Sequence, residues 1–229
     1  MNTIENLSDY QHPSIQQKSQ QLTADQVTQM AKLERIFLFV RDEILFGFPQ
    51  KWDAVKASET LECKRGYCNT KATLMVALCK AADIPARIHT GLIDISIMRG
   101  IFPAFVFLFL PAAGGHSWVE VEMEDGWQPI DSHINDKAFY TQALKKLEES
   151  GKTTAFSISQ AKGPSSCEFN FGEKGFVHMG AVVEDQGVWN DFSDYMSSDK
   201  YIGMNSLQAL LFPTIARMSN RKIKKIREI

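Results

Sequence analysis

The sequence predicts an α+β fold in which a helix that begins at a cysteine packs on an antiparallel sheet. Three observations predict it. From Cys68 onward, Ala72, Leu74, Met75, Ala77, Leu78, Ala81 and Ala82 form a small-residue helical run. Four short segments rich in β-formers follow, the last ending at Asp131. Between the last two lies Glu124-Asp125-Gly126, a hairpin signal flanked by Val119, Val121 and Met123 alternating with Glu120 and Glu122.

Taken in order, residues 1 to 23 lack apolar periodicity and read as a mobile or loosely docked arm. Thr23 then precedes Ala24, Asp25 and Gln26 as in a capping box, and Val27, Met30, Leu33, Ile36, Phe37, Val40, Ile44 and Leu45 follow at helical spacing, so a helix is expected near 24 to 46. Gly47 to Ala57 and Ser58 to Gly66 read as loop. The Cys68 helix stops before Ile84-Pro85. The β-rich segments are Ala86 to Ile95, Phe102 to Leu110, His116 to Met123 and Trp127 to Asp131. Asn135 to Ser150 reads as a helix closed by Gly151. A strand is expected within Gly172 to Asp185, and Asn205 to Ile229 reads as helix interrupted at Pro213. This divides the chain into an arm (1–23), a core (24–151) and an extension that packs on the core and ends in a basic helix (152–229).

Composition narrows the function classes. A 229-residue chain with 44% hydrophobic and 23% charged residues can bury a full core. Its net charge of -2 supplies no global basic field, so nucleic acid is not an expected partner. Met1 to Gln20 is polar and Gln-rich without an apolar stretch behind a basic start, so no secretory signal is read and a cytoplasmic location is expected. The longest apolar run, Ile101 to Leu110, is about half of the roughly 20 residues a membrane helix needs, and reads as a buried strand. Arg217, Arg221, Lys222, Lys224, Lys225 and Arg227 fit a solvated terminal helix, with contact to an anionic membrane or nucleic acid as the alternative. Oligomeric state is not legible. Four cysteines, at 63, 68, 79 and 167, are too few for a disulfide scaffold and form no CxxC pair, so free thiols are expected, a Cys63–Cys68 bridge being the alternative.

Position distinguishes Cys68. The Gly66 bend leads directly into the helix, so Cys68 occupies the first turn, where free backbone N–H groups and the helix dipole favour a thiolate. The plainer reading is a small buried hydrophobe. Cys79 lies about 16 Å further along the axis at about 1.5 Å per residue, without that assistance, and is assigned to the core. A thiol nucleophile needs a base, and histidines stand at 12, 89, 116, 133 and 178. His116 has the best context: it follows Ala112-Ala113-Gly114-Gly115 and shares a strand face with Trp118, Glu120 and Glu122. A structural role is the commoner fate of a strand histidine, and His133, beyond Asp131 in the chain, is the main rival. His178 and Cys167 could line the cleft, but core or surface roles are their default.

Hairpin register decides whether Asp131 can orient His116. If 122 faces 127, then 118 faces 131 and His116 and Asp131 are diagonal neighbours on one face, about 7 Å apart between backbones. A two-residue turn at Asp125-Gly126 separates them by roughly 13 Å, and an odd loop puts them on opposite faces unless a bulge intervenes. A triad therefore requires a four-residue loop over 123 to 126 or an equivalent bulge.

Three blocks resemble the transglutaminase-like family of papain-type thiol enzymes. They are Gly66-Tyr67-Cys68 with Lys71-Ala72-Thr73-Leu74 and the tail Ala81-Ala82-Asp83-Ile84-Pro85-Ala86-Arg87, then His116-Ser117-Trp118-Val119-Glu120-Val121, then Gly126-Trp127-Gln128-Pro129-Ile130-Asp131. They stand in the family's order over about residues 35 to 140. Asp83 replaces the usual Gly before Ile-Pro, and Tyr67 stands where many true transglutaminases have Trp. The resemblance implies a papain-like core with Cys68 as nucleophile, His116 as base and Asp131 as third catalytic member. It implies attack on a peptide, protein or small amide or thioester substrate, the resulting thioester being released by water or by an amine acceptor, with the Cys68 backbone N–H holding the oxyanion. Amide hydrolysis leads, with acyl transfer or amide-bond formation second and a non-catalytic binding module third. Nothing resembles the calcium-regulated multi-domain members, so neither metal nor cofactor is expected.

Overall fold

A computed structural model describes residues 6–171 and 176–228. Its first element departs from the expected arm. His12 caps helix α1 (Pro13–Thr23), which buries Ile15, Ser19 and Thr23 and packs against the Cys68 helix, where Ser19 Oγ donates to Leu78 O at 3.0 Å. Two of its three buried residues are polar, so no apolar stripe marks it in the sequence. Thr23 thus ends one helix, and Thr28 caps the next, α2 (Gln29–Asp42), by accepting from Ala31 N at 3.2 Å. Leu33, Ile36, Phe37 and Val40 form its buried stripe.

Helix α2 is shorter than expected because the chain beyond it turns into β1 (Leu45–Phe46), which pairs in parallel with β2 (Arg65–Gly66). Between them α3 (Ala57–Cys63) occupies a stretch that reads as loop. Seven residues carry too little periodicity to announce a helix. Helix α4 (Cys68–Ala81) is buried on nearly every side, Lys71 included. The Lys71 ammonium donates to Arg41 O at 3.1 Å and Ile44 O at 2.6 Å, closing the end of α2, and burial pushes it down to about 7.

Strands β3 (Ala86–Asp94), β4 (Ala113–Met123) and β5 (Gly126–Ile130) run antiparallel in sequence. Ile88, Val119, Val121 and Ile130 belong to the apolar cluster shared with α4. On the hairpin, Glu122 pairs with Trp127 and Val119 with Ile130. This is the register that places 118 opposite 131. It is reached by a tight Glu124-Asp125 turn instead of a four-residue loop, with Gly126 absorbing a φ of +98°.

The apolar run Ile101 to Leu110 is not a buried strand. Ala104–Leu108 forms a 3₁₀ turn in which Val106 is buried, while Phe105, Leu108 and the following Phe109 are exposed. Pro103 caps that turn and cannot donate to a ladder, and both edges of β3 are taken, one by β4 and the other by a strand from the far end of the chain.

Asp136 caps helix α5 (Lys137–Glu149), and Gly151 follows its end with φ +64°. A minimal hairpin, β6 (Thr154–Ala155) and β7 (Ile158–Ser159), turns through Phe156 and Ser157, both at positive φ (+53° and +59°). The Phe156 ring lies against Gly100, itself at φ +84°. A methyl group there would fall within the ring, so Gly100→Ala is expected to cost about 2 to 4 kcal/mol, read by urea denaturation.

The strand expected within Gly172 to Asp185 is FVHMGAVV, Phe176 to Val183, all of it among the described residues. Phe176 to Ala181 are not strand, Met179–Ala181 being a 3₁₀ turn, and β8 (Val182–Trp189) begins later, joining β3 to give the sheet order β5-β4-β3-β8. After α6 (Phe192–Met196), helix α7 (Ser206–Arg227) runs through Pro213 without the expected interruption. One lost hydrogen bond is tolerated there because Phe212, Ala216, Ser219, Ile223 and Ile226 anchor the helix. Part of its basic charge is used internally: Arg227 pairs with Asp136 at 2.7 Å and Lys222 donates to Phe102 O at 3.0 Å. Among the described residues, no helix is long and apolar enough to cross a membrane.

Candidate active site

The chain enters α4 through a close approach at Gly66, where a methyl group would lie 2.7 Å from Thr70 Oγ1. Tyr67 caps the helix and its N–H donates to Thr70 Oγ1 at 3.1 Å. Cys68 is the first helical residue, half-buried, against the apolar cluster that contains Phe48, Tyr67, Ile101 and Phe212. The cysteines described are all free, and Cys63 and Cys68 are not bridged.

A buried polar network fixes this helix end. Asp53 accepts from Tyr67 Oη, from Asn69 Nδ2 at 2.7 Å and from Tyr201 Oη at 2.9 Å. Asn69 Oδ1 in turn accepts from Ser117 Oγ at 2.9 Å, tying α4 to β4. Burial raises the Asp53 carboxyl against these donors.

On the opposite strand face from Ser117, His116 brings its ring between Cys68 and Asp131. Its Nε2 lies 3.3 Å from Asp131 Oδ1, close enough for an ion pair but off the line of a good hydrogen bond. Cys68 is near enough to the ring to raise it, while the thiol's own hydrogen bond goes to Asn69 Oδ1 at 3.4 Å; with Nε2 facing Asp131, Nδ1 is the ring nitrogen left for the thiol. Asp131 is fully buried just past β5, and its Oδ2 accepts from the backbone N–H of His178 at 2.9 Å. Burial alone raises the Asp131 carboxyl, but the contacts with His116 and His178 outweigh it and hold it well below the usual carboxylate range. Burial lowers the His116 imidazolium, yet Asp131 and Cys68 push it up to about 10. The pair is therefore carboxylate and imidazolium at neutral pH.

The other candidates separate from Cys68. His133 is buried against Phe37 with both ring nitrogens unpartnered, and burial pushes it down to about 3, so it stays neutral. His89 binds Glu120 and Asp185 and stacks on Trp118, and His12 caps α1. Cys79 is a core residue that burial pushes up to about 12, and Cys167 is buried beside Arg41. His178, a default structural residue in the sequence, instead enters the site. Its Nε2 is 2.8 Å from Ser157 Oγ, whose other neighbour is Asn135 Oδ1 at 3.1 Å. Asp53, Asn135, Ser157 and Tyr201 went unread for want of any local pattern.

A family model described as the transglutaminase-like superfamily matches residues 16–132, just over half of the chain. The chain belongs to the transglutaminase-like superfamily. Among solved structures, this transglutaminase-like chain resembles a candidate cysteine protease from Cytophaga hutchinsonii at 18% identity and TM-score 0.44, over 56% of this chain and 38% of that one. A candidate protease from Parabacteroides distasonis aligns at 16% identity and TM-score 0.39, over 56% of this chain and 24% of that one. The chain thus spans well under half the length of either. No curated protein matched. The transglutaminase-like match contains Cys68, His116 and Asp131 and ends before Asn135, Ser157 and His178.

Proposed function

We propose that this chain is a thiol-dependent amide hydrolase acting through a thioester. One observation carries the reading: the His116 ring lies against the buried Asp131 and is raised by both Asp131 and the Cys68 thiol at the helix N-terminus. Cys68 Sγ, as thiolate, adds to the substrate carbonyl carbon, and the oxyanion faces the Cys68 backbone N–H. Imidazolium Nδ1–H of His116 then protonates the departing amine as the C–N bond breaks, leaving the thioester. Neutral His116 next takes a proton from water, hydroxide attacks, and the C–S bond breaks to return thiolate and imidazolium. Asp131 holds the ring and stabilises its charge.

Acyl transfer is the second reading, favoured by the apolar cluster against which Cys68 lies, since such walls disfavour water as acceptor. Incubation with peptide esters and amides, with and without an alkylamine, separates the two. Free acid as the main product despite the amine supports hydrolysis. Amide as the main product assigns the protein to acyl transfer, and a Cys68 that never acquires an acyl mass in either condition overturns both.

A further inference from the structure

Three buried polar atoms in the site lack a hydrogen-bond partner and point at one place: His116 Nε2, Asp131 Oδ1 and His178 Nδ1. They lie within 4.8 Å of one another, Oδ1 being 3.3 Å from Nε2 and 3.7 Å from Nδ1. Ligands about 2.1 Å from a tetrahedral zinc ion stand about 3.4 Å apart. The two measured separations bracket that spacing.

The surrounding hydrogen bonds set the direction of the His178 ring. Asn135 Nδ2 donates to the Ser157 carbonyl at 2.7 Å, which fixes the amide and turns Oδ1 toward Ser157 Oγ. A carboxamide oxygen can only accept, so the Ser157 hydroxyl donates to it and is left to accept from His178 Nε2–H at 2.8 Å. A neutral ring that donates through Nε2 carries no proton on Nδ1. The Nδ1 lone pair therefore faces the Asp131 carboxylate, an arrangement that calls for a cation between them. A histidine whose far nitrogen donates to a fixed acceptor is how proteins orient metal-binding imidazoles. The two consecutive non-glycine residues at positive φ, Phe156 and Ser157, place that acceptor.

We propose that His116 Nε2, Asp131 Oδ1 and His178 Nδ1 form a binding site for one zinc-type divalent ion, and that its occupancy switches the thiol chemistry off. The second half rests on the function proposed above. On binding, the ion displaces the proton of His116 Nε2 to solvent and takes that lone pair. The ring then keeps its remaining proton on Nδ1 as a neutral, metal-bound imidazole, a far weaker acid toward the departing amine than the imidazolium. Asp131 is at the same time diverted from the imidazole to the ion.

The test uses the full chain with Cys63→Ser and Cys68→Ala, so that neither the exposed nor the half-buried thiol binds metal, and zinc alone as titrant in calorimetry. One ion per chain is expected, with affinity reduced ~10–100-fold by Ser157→Ala and further by His178→Gln. No uptake, as for a site that holds water, or uptake unchanged in both variants overturns the site. Should His178→Gln fail to melt cooperatively, Ser157→Ala decides, together with the visible spectrum of the cobalt form, which must lack a thiolate charge-transfer band. The switch is read in the otherwise natural chain as slower acylation of Cys68 by a peptide amide with zinc, restored by chelator and less marked in Ser157→Ala. Binding without slowing overturns the switch alone, whereas a Cys68 that is inert in the metal-free chain counts against the proposed function and leaves the site standing.

Discussion

Cys68→Ala is expected to abolish the acyl-enzyme and to lower turnover by ~10⁴-fold or more, the scale on which nucleophile removal acts in triad enzymes. No other thiol can substitute. Cys79 and Cys167 are buried and pushed up in pKa, and Cys63 is exposed without a histidine partner. His116→Gln should fall nearly as far, and the double variant no further than the worse single one, because the two groups act in the same proton transfer. Intact-mass measurement of the acylated chain, beside steady-state rates, checks this. Cys79→Ala serves as the control for stability, expected to cost about 1 to 2 kcal/mol at a fully buried core site while leaving the rate unchanged. Retention of acylation in Cys68→Ala would remove the cysteine from the mechanism.

Asp131→Asn is expected to move the His116 titration down by ~1–3 units from its position near 10, since the facing carboxylate is the principal group that raises it. Histidine resonances followed by NMR across pH 5 to about 11 measure this directly, and the alkaline limb of kcat should move with them. Stability follows with opposite signs at the two ends. The depressed Asp131 carboxyl contributes stability above its unfolded value, about 3.9, which is lost as pH falls. The raised His116 contributes stability below about 6.5, lost as pH rises through about 10. The variant should therefore unfold less steeply in acid and show a smaller alkaline decline that ends at lower pH, while being less stable than the parent near neutrality. A His116 titration unmoved by Asp131→Asn would show that another group raises it.

Legibility in the sequence followed the range of the interaction that carried each element. The α4 helix, strands β3 to β5 and the α5 helix announce themselves through periodicity or turn residues within a few positions. Helix α1 and the 3₁₀ turn at Ala104–Leu108 do not, because α1 is docked by Ile15 and two polar residues, and the apolar run lost its place in the sheet when β8 occupied the free edge of β3. The same division holds within the site. Cys68, His116 and Asp131 are readable from helix start, strand face and motif order. Asp53 and Tyr201, 148 residues apart, share one hydrogen bond that nothing local foretells.

The sequence by itself determined the superfamily, the thiol at a helix N-terminus and the strand face that His116 occupies, because each depends on neighbours close along the chain. Tertiary structure alone decided the register at the Glu124-Asp125 turn, the burial of His133 against Phe37, and the arrival of Asn135, Ser157 and His178 around Asp131. Those outcomes depend on which buried groups find partners when distant segments pack. A buried carboxylate must be matched by donors or cations wherever the chain can supply them.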